Sequence, residues 1–316
     1  MKISVQKSRH ALVKFFHSKG GKLVTLALKV FSGRVISQML YGIEIWGMNQ
    51  NNLHHLEVGQ NKFLRHILVA PQGTPAAHLR TETGMVSIKA RATLAIFSYY
   101  KRVMDMPDHR LPKRCMIEQW KSGGWATSAQ NLLKSKSLST DIFIFSEVKR
   151  MLRDWLYKSD NDQDLALIHS SGFSHWYRLL KTNHSRAQYL DALTFAPLRT
   201  AFTELRFQTM PTAVLDGRYM NVPKHLRVCI CGAGEIEDVL HYLLYCHLYQ
   251  NPREKLLGNI LAALQEESPQ TKVVRLLLDC DPYVTYRTAL FAKAARNIRA
   301  NFLKAIAINC VGDSQI

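Results

Sequence analysis

The chain has 316 residues, 47% of them apolar, which is enough to build folded cores and excludes disorder as its dominant state. A formal net charge of +18 points to a polyanionic partner and argues against a small neutral ligand. No apolar run reaches the roughly 20 residues that cross a bilayer, and Met1 to His10 lack a signal peptide's hydrophobic segment, so a soluble intracellular protein is expected.

The charge is uneven. Residues 1–115 hold 18 Lys and Arg against 5 Asp and Glu, whereas residues 116–316 hold 24 against 19, and the first acidic residue is Glu44. Apolar residues recur at helical spacing almost throughout, which predicts a mainly α protein. The first expected helix, Val5 to Ser18, sets Lys7, His10, Lys14 and His17 on one face and ends at Gly20-Gly21. The second, Lys22 to Leu40, is apolar apart from Lys22, Thr25, Lys29 and Ser32 and reads as the buried centre of a bundle. A third, Leu53 to Leu68, turns Leu56, Phe63, Leu64 and Ile67 inward and Lys62 and Arg65 outward.

Thr74 as N-cap, Pro75 in the first turn and Gly84 at the end predict a short helix; Val86 to Met104 then forms a long one bearing Tyr99, Tyr100, Lys101 and Arg102. Pro107 to Pro112 and the Gly/Ser-rich stretch Ser122 to Ser128 suggest a boundary. Further helices are expected over Ile142–Leu156, Ser174–Leu180, Leu198–Phe207 and Pro252–Glu267, and over Tyr283–Ile308 after Asp281-Pro282. The last is amphipathic, with Arg287, Lys293, Arg296, Arg299 and Lys304 accompanying Leu290, Phe291, Ile298, Phe302 and Ile306. The expected organisation is a basic helical bundle (1–110), a helical connector (111–220), a small Cys/His segment (221–252) and C-terminal helices (253–316).

Six cysteines are too few for a disulfide scaffold. Three of them join a histidine in the order Cys229-x-Cys231, nine residues, His241, four residues, Cys246, a ligand set suited to a structural Zn2+ ion. His225 and His247 are alternative ligands. In a regular helix, turning about 100° per residue, His241 and Cys246 point away from each other. The helix must therefore end or loosen near Tyr245, or another residue takes the place of Cys246.

The segment CICGAGEIEDVLHYLLYC, with the Arg-containing stretch after it, resembles the zinc-binding segment that follows the polymerase and thumb in LINE-type (non-LTR) reverse transcriptases. Upstream, Leu40-Tyr41-Gly42, Glu44-x-Trp46, Gln60, Phe63-Leu64-Arg65 and Glu82-x-Gly84 resemble the thumb of the same elements in order and type. The resemblance implies a helical thumb-like domain that grips RNA or an RNA/DNA duplex without sequence preference, in cytoplasm and nucleus. On it, Lys14, Lys19, Lys22, Lys29, Lys62, Arg65, Lys101 and Arg102 are the candidate phosphate contacts, joined by Lys293, Arg296 and Arg299 of the tail. The alternative expectation is a retroelement fragment whose zinc-stapled helices bind a protein, or one without function.

Polymerase chemistry needs adjacent aspartates to hold two magnesium ions, and this sequence has no Asp-Asp pair, so no enzyme is expected. Asp279 and Asp281 read as a helix end and a helix cap. Asp160, Asp162 and Asp164 start like a calcium loop but lack its Gly and Glu and read as a solvated loop; His169, His175 and His184 read as surface or packing residues.

Overall fold

The computed structural model describes residues 2–18, 21, 23–47, 50–134, 148–173 and 175–312. Among these the protein is mainly α, as its periodicity requires, and the sole β feature is an antiparallel bridge between Val228 and Ile236. In the first half the helices are α1 (Lys2–Ser18), α2 (Val24–Val30), α3 (Ile36–Met39), α4 (Ile43–Trp46), α5 (Gln50–Leu68), α6 (Ala76–Thr83), α7 (Ile88–Met104), α8 (Leu111–Ser122) and α9 (Trp125–Lys134). The second half holds α10 (Val148–Ser170), α11 (His175–Leu180), α12 (Tyr189–Ala192), α13 (Ala196–Phe207), α14 (Ala213–Tyr219), α15 (Gln250–Ala263), α16 (Pro269–Leu277) and α17 (Pro282–Gly312).

Two main cores meet along α13 and α17. The first gathers Phe16, Phe31, Phe63, Ile67, Leu79, Tyr177 and Phe202. The second gathers Leu205, Cys229, Tyr242, Cys246, Tyr249, Leu257, Leu276 and Phe291. On α13, Leu198 and Phe202 face the first core while Ala201 and Leu205 face the second; on α17, Ala289 faces the first and Ala292 and Ala295 the second.

Helix ends follow their caps. Ser87 accepts the Ala90 amide at the head of α7, Ser268 the Thr271 amide at the head of α16, and Asp281 the Tyr283 amide at the head of α17. Asp279 accepts the Gln188 and Tyr189 amides, so it secures the start of another helix, α12. Helix α6 ends on Gly84 at φ +66°, where a Cβ would lie 2.9 Å from the Arg186 amide nitrogen.

Several expectations are corrected. Where one helix is expected over Lys22–Leu40, a π-turn, Phe31–Val35, joins α2 to α3, and α2 is not wholly buried, since Leu23, Leu26 and Val30 face outward. Pro75, not Thr74, is the N-cap residue of α6; the Thr74 carbonyl accepts Arg65. The aspartates expected in a loop lie within α10, because Leu152, Leu156, Asp160, Asp164 and Ile168, four apart, form one inward stripe. Its polar members have partners: Asp160 takes the Ser87 amide and hydroxyl, and Asp164 pairs with buried Arg80 and stands 3.6 Å from His184. The helix expected over Ile142–Leu156 runs on to Ser170 in α10; residues 142–147 lie outside the described residues.

The cores abut a buried charge cluster. Arg206 and Glu82, both inaccessible to solvent, pair at 2.7 Å; Tyr177 donates to Glu82, and Arg206 also donates to the Leu277 carbonyl. Burial pushes the Glu82 carboxyl up, but Arg206 and Lys181 overcome it and hold the group below the usual range. Gln60 is likewise structural, bonding the Val86 carbonyl and Ile88 amide with its two amide atoms.

Candidate metal centre

Residues 227–236 form a tight reversal. Cys229 donates its amide to the Glu235 carbonyl, the bridge pairs Val228 with Ile236, and Gly232 and Gly234 take positive φ angles that let the chain double back. Cys229 and Cys231 thereby face His241 and Cys246, which lie beyond the reversal.

His241 and Cys246 meet because the helix between them loosens. His241–Tyr245 is a π-turn, and the Cys246 amide donates to the His241 carbonyl at 2.8 Å, five residues back instead of four. Each residue of this wider turn advances by less than 100°, so the side chains five apart return to one side. Cys246 itself has left the helix, at φ −57° and ψ 119°. The loosening expected near Tyr245 is present, so the position needs no replacement ligand.

Such a turn leaves carbonyls without their usual partners, and Arg253 of α15 supplies them. Its side chain, 8% exposed, donates to the carbonyls of Leu243 at 2.8 Å and Cys246 at 2.7 Å. Asp238 accepts the His241 amide at 2.9 Å, fixing the start of the turn. The sequence marked α15 as Arg-containing, but spacing alone did not reveal that this Arg closes the site.

Four ligand atoms, from Cys229, Cys231, His241 and Cys246, lie within 4.8 Å of one another, and the cluster could hold a metal ion. The Cys229 and Cys246 sulfurs are 3.7 Å apart, and the Cys231 sulfur is 3.5 Å from His241 Nε2. Burial pushes the Cys229 and Cys246 thiols up and the His241 imidazole down, so without a cation it favours the neutral forms of these three groups. A bound cation reverses this for the thiols by stabilising thiolate.

The basic candidates divide sharply. Lys14, Lys29, Lys62 and Arg102 are exposed, on α1, α2, α5 and α7. Arg65 is half-buried and donates to the Thr74 carbonyl, and Lys101 pairs with Asp105 at 2.7 Å. In α17, Lys293 lies over the Phe195 ring, Arg296 pairs with Glu204, and Arg299 is 6% exposed and forks onto Glu237 at 2.9 and 3.0 Å. Arg299 is therefore withdrawn as a phosphate contact. Its placement follows from α17 being a core helix, with Phe291, Ala292 and Ala295 buried, and not a detachable tail. Lys19 and Lys22 lie outside the described residues.

No described helix is long and apolar enough to cross a membrane. Comparisons of the chain with protein-family models, with curated proteins and with solved structures find no match.

Proposed function

We propose that this protein is a zinc-stapled helical module that binds nucleic acid through its N-terminal half, in the manner of the thumb and zinc segment of a LINE-type reverse transcriptase. One observation carries the reading. Arg206, Arg253 and Arg299 of the second half are turned inward onto carboxylates and carbonyls, whereas Lys14, Lys29 and Lys62 stand on the surface of the half with the larger charge excess. Surface cations left over by folding are what phosphate neutralisation uses. Such contacts grip a backbone without reading sequence.

Zinc is the metal favoured by the ligands. With Zn–S near 2.3 Å and Zn–N near 2.0 Å, a tetrahedron has edges of about 3.8 Å between sulfurs and about 3.5 Å between sulfur and nitrogen. The separations of 3.7 and 3.5 Å agree with both. Three thiolates and an imidazole, with no carboxylate, leave no place for magnesium or calcium. The ion is structural: its four protein ligands leave no position for substrate.

The reading is tested by fluorescence anisotropy with RNA and RNA/DNA duplexes across a salt series. About five phosphate contacts give a slope of log K against log salt near −4, and the triple variant Lys14→Ala, Lys29→Ala, Lys62→Ala should flatten it by two to three. A salt-independent response, or no binding at low salt, removes the proposal. A second reading, a protein-binding module, draws on the exposed apolar strip of Phe15, Leu23, Leu26 and Val30. It gains if nucleic acid fails to bind and Leu26→Asp abolishes a stable protein complex.

A further inference from the structure

Between α1, α3, α4 and α5 lies a groove of about 490 Å³, a volume in the range that accepts small organic ligands. Its apolar lining includes Met39, Trp46 and Leu56, and Arg9, His55 and Lys62 contribute cationic or titratable groups. Among the described residues no Asp or Glu lines it. Along α1 and α5 the positive character continues, for Arg9, His10 and His17 are close enough to His66 to depress its protonation further after burial has lowered it.

We propose that this groove receives one unpaired base of a single-stranded nucleic acid, with Arg9 and Lys62 holding the flanking phosphates. The inference deepens the nucleic-acid reading and rests on it. An apolar recess bordered by cations, with no carboxylate, complements a nucleotide: a flat apolar ring attached to an anion. An acidic peptide would satisfy the cations but leave the space around Met39, Trp46 and Leu56 for a large apolar side chain. A base fills it while keeping its phosphate within reach of the rim.

Gly59 provides a clean test. A Cβ there would meet only the flexible end of Met39, at 3.2 Å from Cε, so Gly59→Leu fills the groove from within α5 without removing a charge. The experiment compares binding of a short single-stranded oligonucleotide with its base-free counterpart of equal length and charge. For the unaltered protein the base-free strand should bind about tenfold more weakly. Gly59→Leu should erase that preference while retaining the salt dependence, and Arg9→Ala with Lys62→Ala should weaken both strands. A photoreactive base should crosslink to peptides of α4 and α5.

Equal binding of the two strands by the unaltered protein overturns the groove assignment and leaves the charge-based reading intact. Failure of both strands and of duplexes at low salt overturns both. If Gly59→Leu instead dissociates a dimer in sedimentation, the groove is a contact between copies and the assignment falls.

Discussion

The two cores share α13 and α17 yet are closed by different means. The first closes on interlocking rings and aliphatics, such as Phe31 stacked on Phe63 with centroids 3.9 Å apart. Beside the apolar residues of the second sit four metal-type ligands, a π-turn and an arginine spent on carbonyls. The first core is assembled chiefly from apolar burial, with an ion-pair cluster at its edge; the second contains polar backbone served by Arg253 and a ligand set that a metal ion would complete. Stability in the two regions should therefore answer to different perturbations.

The largest effect is expected from Cys246→Ser. Zinc content should fall from one per chain, and hydrogen-exchange protection should drop first over residues 226–263, with α5 to α7 protected longest. Loss of the site forfeits several kcal/mol, since ligand binding contributes to folding only in the assembled state. Chelation should reproduce the pattern. A variant with unchanged zinc content and an unchanged exchange map would make the cysteines ordinary core residues.

Next in size is the charge cluster of the first region. Glu82→Gln removes the closest counterion of the fully enclosed Arg206 and leaves it Asp279 at 3.5 Å, which costs about 3 kcal/mol by denaturant unfolding. Glu237→Gln in the second region should cost less, because the Arg299 side chain is 7% exposed while that of Arg206 is fully enclosed, and each keeps one more distant carboxylate, Asp216 and Asp279. Equal losses would mean that burial of the arginine does not set the scale.

The regions also oppose each other in pH response. Burial drives His78, packed on Tyr177 in the first region, down to about 4, while burial, outweighing Arg296, drives Glu204 up to about 7. A depressed His contributes stability that is complete above its ordinary value near 6.5 and is lost as pH falls toward 4. A raised carboxyl contributes stability complete below its ordinary value near 4.5 and lost as pH rises through 7. Each swing amounts to about 3 kcal/mol and they nearly cancel between pH 4.5 and 6.5. His78→Phe should then give a protein that weakens with rising pH over that interval, and Glu204→Gln one that strengthens. Parallel profiles for the two variants would discard the assignment.

Periodicity made the fold class and most helices legible, and the Cys/His spacing made the candidate ligand cluster legible together with its geometric difficulty. The remainder depended on contacts distant in sequence. Asp160 and Asp164 look like solvated residues until Ser87 and Arg80 approach from α7 and α6. Arg299 looks like a surface cation because the 62 residues separating it from Glu237 hide its partner. Arg253 carries no local signal, since the carbonyls it serves are exposed only by an unusual turn. Charge counts show how many cations a chain carries, while tertiary pairing decides which of them remain for a ligand.

The smallest effects contrast two glycines, one from each region. Gly84 and Gly232 both adopt positive φ, at +66° and +83°, where an L-residue costs about 1 to 2 kcal/mol. Around Gly232 a Cβ meets nothing within 4 Å, so Gly232→Ala should cost the backbone term alone and leave zinc content unchanged. At Gly84 the added methyl presses on the Arg186 amide at 2.9 Å. That strand of chain cannot easily retreat, because the next amide, of Ala187, donates to the Glu82 carbonyl at 3.0 Å. Retreat would disturb the residue that pairs with Arg206. Gly84→Ala should therefore destabilise by roughly 1 kcal/mol more than Gly232→Ala in thermal or denaturant unfolding. Indistinguishable losses would mean that the Arg186 segment yields without cost, and that the first region is less tightly tied than its hydrogen bonds imply.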